Sequence, residues 1–210
     1  MANNPEFQEW MVNSALFRYL SSKKEKEKRL GWLFDLKVDI GEEDIPCPLL
    51  KELCGFRWKS EDPDFAFDKG FKPEERGKIE EQRFKSTYWS LRPDFRFRTK
   101  DGTRQLFIEG KGGPPSRYDK EQAIHYLGFI HESGSTGALV YLVPEEARSW
   151  VRLLHQVAES GGPKTGVLYW DKSFLQQIST ELLHVITESQ VGPMNLLKKA
   201  MELRNEESTQ

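Results

Sequence analysis

Two carboxylates and an ammonium fall close together in this chain: Asp94 in RPDFRFR, then Glu109 and Lys111 in LFIEGKGG. Two carboxylates with a neighbouring backbone carbonyl, here that of Gly110, make an all-oxygen set suited to Mg²⁺ or Mn²⁺. Such a cation neutralises phosphoryl charge and lowers the pKa of an attacking water, both of which phosphodiester hydrolysis needs. A lysine beside it orients that water or stabilises the transition state. A rival Asp64 also follows a proline, but it sits in the polar stretch SEDPDFAFDKG and reads as a turn.

These residues need a scaffold, and the pattern around them supplies one. Alternation in DFRFR, a turn at Asp101-Gly102 and the apolar run LFIEG read as a β-hairpin. Alternate strand residues share a face, so Phe107, Glu109 and Lys111 point one way and Leu106, Ile108 and Gly110 the other. On the first hairpin strand Phe95 and Phe97 oppose Arg96 and Arg98, and pairing brings Asp94 near Glu109. Pro73 followed by EERGKIEEQRFK reads as a helix start upstream. Ser116 with Asp119 caps a helix running through RYDKEQAIHYLGFIHES, whose buried stripe is Ala123, Leu127 and Ile130. The run ALVYLV is a buried strand, a helix follows from Pro144 to about Ala158, then a strand VLYW, a helix from about Ser173 to Glu188, and a last amphipathic helix from Pro193. The N-terminal part begins with a helix bearing Phe7, Trp10, Met11, Ala15 and Leu16, and residues 41–70 read as irregular. The expected architecture is α/β, a mixed central sheet flanked by helices. Residues 1–72 form an N-terminal extension, 73–170 the core, and 171–210 C-terminal helices packed on it.

Arg92-Pro93-Asp94, followed by Glu109-Gly110-Lys111, resembles the PD-(D/E)XK nuclease signature, and the helix, strands, helix, strand order is similar to that superfamily's restriction-endonuclease-like core. Gln122-x-x-x-Tyr126 resembles the QxxxY element of its RecB-like branch; residues four apart share a helix face. The resemblance covers residues 73–143. It implies a nuclease, with endonuclease action the expectation, in which Asp94, Glu109 and the Gly110 carbonyl hold Mg²⁺ or Mn²⁺. Lys111 assists the nucleophile, and Gln122 and Tyr126 position the nucleic-acid backbone. Glu80 and Glu81 on the upstream helix are similar in placement to a further metal-binding carboxylate of many members, and spacing does not say which faces inward.

Charge agrees locally rather than globally. The net charge of -2 gives no overall attraction to nucleic acid, yet between Leu91 and Lys120 eight basic side chains face four acidic ones, a balance of +4. Arg92, Arg96, Arg98, Arg117 and Lys120 are the expected nucleic-acid contacts, with DNA favoured over RNA, and Tyr88 and Trp89 stand beside the basic strand. Cys47 and Cys54 match no zinc spacing and read as reduced thiols. His125 and His131 read as surface residues. No apolar run reaches the roughly 18 residues of a membrane span, and the expected location is the cytoplasm, or the nucleus of a eukaryote. A homodimer or protein partner through the terminal helices fits the amphipathic pattern. Two other readings share these residues: a nucleic-acid-binding or protein-interaction module that kept the fold without the chemistry, and an α/β protein in which Glu109 and Lys111 are a structural ion pair.

Overall fold

The structure is a computed structural model that describes residues 5–22, 25–42, 44–55, 65–68, 93–99, 102–145, 147–158 and 162–188. In chain order the elements are α1 (Pro5–Ser21), α2 (Lys26–Phe34), α3 (Leu50–Leu53), β1 (Phe65–Asp68), β2 (Phe95–Thr99), β3 (Arg104–Gly110), α4 (Arg117–Glu132), β4 (Thr136–Val143), α5 (Ser149–Val157), β5 (Lys164–Tyr169), α6 (Lys172–Gln177) and α7 (Ser179–Glu188). Five strands form one sheet in the order β1-β2-β3-β4-β5. The first three are antiparallel neighbours, and β3-β4 and β4-β5 are parallel, so the sheet is mixed. A parallel pair needs a crossover, and α4 between β3 and β4 provides it.

Strand parity sorts the core into two layers. Leu106 and Ile108 of β3 join Phe95 and Phe97 of β2 beneath a layer built from α1, α2, α6 and α7. Phe107 faces the other way, onto Ala123, Tyr126, Leu127 and Ile130 of α4 and Trp150 of α5. The hairpin register is Phe95 opposite Ile108 and Phe97 opposite Leu106. Its turn is closed by the Gly102 amide donating to the Thr99 carbonyl at 3.0 Å, with Gly102 at a φ of +71° that disfavours any side chain. The Ser116–Asp119 capping box opens α4, with Asp119 accepting from the Ser116 amide at 2.8 Å.

Several elements differ from the sequence reading. Residues 41–70, expected to be irregular, contain α3 and β1; β1 is a four-residue edge strand paired on one side only, too short for alternation to announce it. The helix expected from Ser173 to Glu188 is two helices, α6 and α7, meeting at Ile178. The helix expected from Pro144 begins at Ser149. Trp10 lies off the buried stripe of α1 and is half exposed, stacked on Phe7 at 5.7 Å between ring centres. The helix α1, placed by sequence in an N-terminal extension, packs Met11, Val12, Ala15 and Leu16 into the same cluster as Phe95, Phe97, Leu106 and Ile108. The helices expected from Pro73 and Pro193 lie outside the described residues. No described helix is long and apolar enough to cross a membrane. Both cysteines are free, Cys47 exposed and Cys54 buried.

Candidate active site

The hairpin ends by bringing its carboxylates together. Asp94 immediately precedes β2, and the register carries it to Glu109 on β3, where the Asp94 amide donates to Glu109 Oε2 at 3.2 Å. One Asp94 oxygen, Oδ2, accepts from the Gly110 amide at 2.9 Å and from the Asn13 side chain of α1 at 2.8 Å. Because Glu109 and Lys111 share a strand face, Lys111 Nζ reaches Glu109 Oε1 at 3.2 Å, and it reaches Asp119 Oδ1 at 3.2 Å on its other side.

The helix α4 closes the cluster from above. Gln122 Nε2 donates to Glu109 Oε1 at 3.1 Å, and the Tyr126 hydroxyl donates to Glu109 Oε2 at 3.1 Å. The two side chains also bond each other at 3.2 Å, as residues one turn apart can. Tyr126 is fully buried, its ring edge-on to Phe107 at 5.7 Å, so it cannot stack on a base; it orients Glu109.

Glu109 is only 6% exposed, and two donors converge on each of its oxygens. Burial pushes its carboxyl up to about 8, with Asp94 adding to the rise while Lys111 and Tyr126 oppose it. Lys111 is raised: burial works against its charge, but Glu109 and Asp119 outweigh that cost. Asp119 is lowered, since the bonds from Ser116 and the charge of Lys111 overcome its own burial. A fourth carboxylate, Glu9 of α1, accepts from the Gly112 amide at 3.0 Å; burial raises it, and it feels Lys111, Asp94 and Asp119. Among the described residues Glu9, Glu109 and Asp119 thus act together on Lys111.

Glu9 and Asn13 were not singled out in the sequence. The available signal was a pair of polar residues four apart at the border of an apolar helical stripe, too common a pattern to mark a site unaided. Glu80, Glu81 and Arg92 lie outside the described residues, as do Asp64, Tyr88 and Trp89.

The expected cationic surface is altered. Arg96 is only 5% exposed; its guanidinium donates to Gln105 Oε1 at 2.9 and 3.2 Å and lies over the Phe107 and Phe129 rings, so it is committed to the interior and removed from any nucleic-acid surface. Arg98 stands four residues along β2 from Asp94, about 13 Å at strand rise. Arg117 and Lys120 are exposed on the first turn of α4, Arg117 pairing with Glu121 at 3.3 Å. His125 is half exposed, and the exposed His131 borders a cavity with Arg104 and Lys164 at the opposite end of the sheet.

Whether the residues fit a divalent cation is a question of donors. Among the described residues no group of three or more His, Cys, Asp or Glu side chains is placed to hold a metal ion. The site is nevertheless all oxygen, and Asn13 Oδ1 and Gln122 Oε1 are buried acceptors with no hydrogen-bond partner. Hard oxygens with excess carboxylate charge fit Mg²⁺ or Mn²⁺ retaining part of its hydration shell. For Glu109 to bind such an ion, one of its present donors must yield, and Lys111, on a flexible stem, is the one able to do so.

Comparison with protein-family models, with curated proteins and with solved structures finds no match to this chain.

Proposed function

We propose that this chain is a metal-dependent nuclease of the PD-(D/E)XK type, hydrolysing phosphodiester bonds of DNA or RNA. The observation that carries the proposal is the convergence of Asp94, Glu109 and Lys111 at one end of the sheet, with the Asp94 amide and Lys111 Nζ each 3.2 Å from a Glu109 oxygen. The element order adds support: three helices, the antiparallel strands β1, β2 and β3, a crossover helix and a parallel strand among the described residues. On this reading α1 opens the restriction-endonuclease-like core rather than preceding it. Glu9 then takes the place of the further carboxylate sought at Glu80 or Glu81.

A divalent cation would supply charge neutralisation at the phosphoryl group and an activated water. The protein's own residues do the rest. Asp94 and Glu109, with the Gly110 carbonyl, would hold the ion. Tyr126 and Gln122 fix the Glu109 carboxylate so that it needs little reorganisation. Lys111, yielding Glu109 to the ion and still paired with Asp119, would present an ammonium where negative charge develops on the phosphoryl oxygens. Arg117 and Lys120 stand at the rim, suited to backbone phosphates.

The test is incubation with labelled single-stranded, duplex and branched DNA and RNA, with Mn²⁺, Mg²⁺ or EDTA, beside Glu109→Ala. Cleavage that needs the cation and disappears in the variant supports the proposal. Retention of nucleic acid without cleavage points to the binding-module reading. Neither binding nor cleavage leaves Glu109 and Lys111 a structural pair.

A further inference from the structure

We infer that Asn13 belongs to the divalent-cation site as a positioning residue. Its Nδ2 fixes Asp94, and its Oδ1 is the acceptor for a water of the cation's hydration shell. The inference rests on the nuclease reading above and adds a residue that the signature does not contain.

Asp94 lies at the end of the sheet where the two helical layers meet, and it is held from both sides. Its Oδ2 takes a hydrogen bond from Gly110 of β3 at 2.9 Å and another from Asn13 of α1 at 2.8 Å. Those two donors are themselves fitted together. A Cβ on residue 110 would meet Asn13 Oδ1 at 2.3 Å, Nδ2 at 2.4 Å and Cγ at 2.7 Å, so the amide packs flat against the glycine Cα. Any side chain at position 110 would displace Asn13 from Asp94. The glycine between Glu109 and Lys111 therefore has a physical reason: it admits a side chain from α1 to the carboxylate.

The other half of the amide has no partner. Asn13 Oδ1 is buried and accepts nothing from the protein; among the described residues the only other such side-chain atom is Gln122 Oε1, which also belongs to a residue touching the site. Buried polar atoms in folded proteins are nearly always bonded, so two exceptions at one carboxylate cluster point to donors that come with a ligand. The site's charge selects that ligand. Among the described residues Glu9, Glu109 and Asp119 gather about Lys111 with Asp94 bonded beside Glu109, a set of carboxylates that suits a hydrated cation, whose waters are hydrogen-bond donors. Groups that orient ligating carboxylates typically matter to metal affinity about 10- to 100-fold.

Mn²⁺ titration by calorimetry and the Mn²⁺-induced shift in melting temperature test this without any substrate. Asn13→Ala is expected to weaken Mn²⁺ binding about tenfold or more, with the metal-free melting temperature within a few degrees of wild type. Asn13→Asp places a further carboxylate against Asp94. Its metal-free form should melt lower, and Mn²⁺ should raise its melting temperature by more than it raises wild type. A merely structural asparagine would lower stability in both variants and leave the Mn²⁺ shift at the wild-type value. That outcome, or wild-type Mn²⁺ affinity in Asn13→Ala, overturns the assignment of Asn13 while leaving the nuclease reading in place. If Asn13→Ala does not fold, the shift in Asn13→Asp decides. Wild-type protein that takes up no Mn²⁺ overturns the metal reading and this inference with it.

Discussion

Two buried polar clusters stand at opposite ends of β3, and they are built on opposite principles. At the start of the strand Gln105 gathers Arg96, Ser133 and Ser135: its Oε1 accepts from the guanidinium at 2.9 and 3.2 Å, and its Nε2 donates to the two hydroxyls at 3.0 and 2.9 Å. Each hydroxyl reaches onward to a backbone carbonyl, Ser133 to Ile130 at 2.8 Å and Ser135 to Gly102 at 2.6 Å. The network closes on itself and holds the crossover to the hairpin. At the other end, among the described residues, Glu9, Glu109 and Asp119 gather about Lys111 and two amide oxygens find no donor. Buried polarity is costly unless satisfied, so the two clusters differ in what they cost the fold. Burial does not separate the two clusters, since Gln105 and Glu109 are about equally buried at 3% and 6% exposed.

Breaking the closed end should cost the most stability and no chemistry. Gln105→Leu removes the two hydrogen bonds that Arg96 donates to Gln105 and leaves two hydroxyls short of a donor, and should destabilise the fold by about 3 kcal/mol in denaturant titration. Metal-dependent cleavage measured well below the melting temperature should be unchanged. The open end should answer in reverse. Lys111→Ala should lower the single-turnover cleavage rate about a hundredfold with nucleic-acid affinity close to wild type. A collapse of affinity with the rate at saturation preserved would make Lys111 a phosphate anchor instead. Gln122→Ala and Tyr126→Phe each remove one donor from Glu109 without opening a large cavity. Each should slow cleavage about tenfold with melting temperatures within a few degrees of wild type.

The last test is the pH dependence of stability. In the metal-free protein the Glu109 carboxyl titrates at about 8 against an ordinary 4.5. The unfolded chain releases this proton first, so the stabilisation is complete below about 4.5 and is lost as pH rises through about 8. Glu9, also raised, acts in the same direction, and the lowered Asp119 contributes only at more acid pH. In EDTA the melting temperature should therefore fall across this interval. Glu109→Gln should reduce the slope, and Mn²⁺ should reduce it in wild type by favouring the carboxylate. A wild-type slope retained in Glu109→Gln would mean that Glu109 is not its source.

The sequence by itself determined the hairpin, the faces of β3 and the pairing of Glu109 with Lys111, because strand alternation is local and a period of two leaves no other arrangement. It also determined Ser116–Asp119 as the cap of α4 and the shared face of Gln122 and Tyr126, since a capping box and a one-turn spacing are written within four residues. Only the tertiary structure decided what those groups meet. Arg96 looked like one of several strand cations, yet Gln105 and the Phe129 ring take it inward. Tyr126 could have reached a ligand, and instead its hydroxyl turns to Glu109. Asn13 and Glu9 arrive from a helix some eighty to a hundred residues earlier, bonding Asp94 and Gly112. The cause is the reach of each signal. Periodicity and capping act over a few residues, whereas the meeting of α1 with the strand end follows from how two helical layers bury opposite faces of one sheet, a long-range packing outcome that no local pattern encodes.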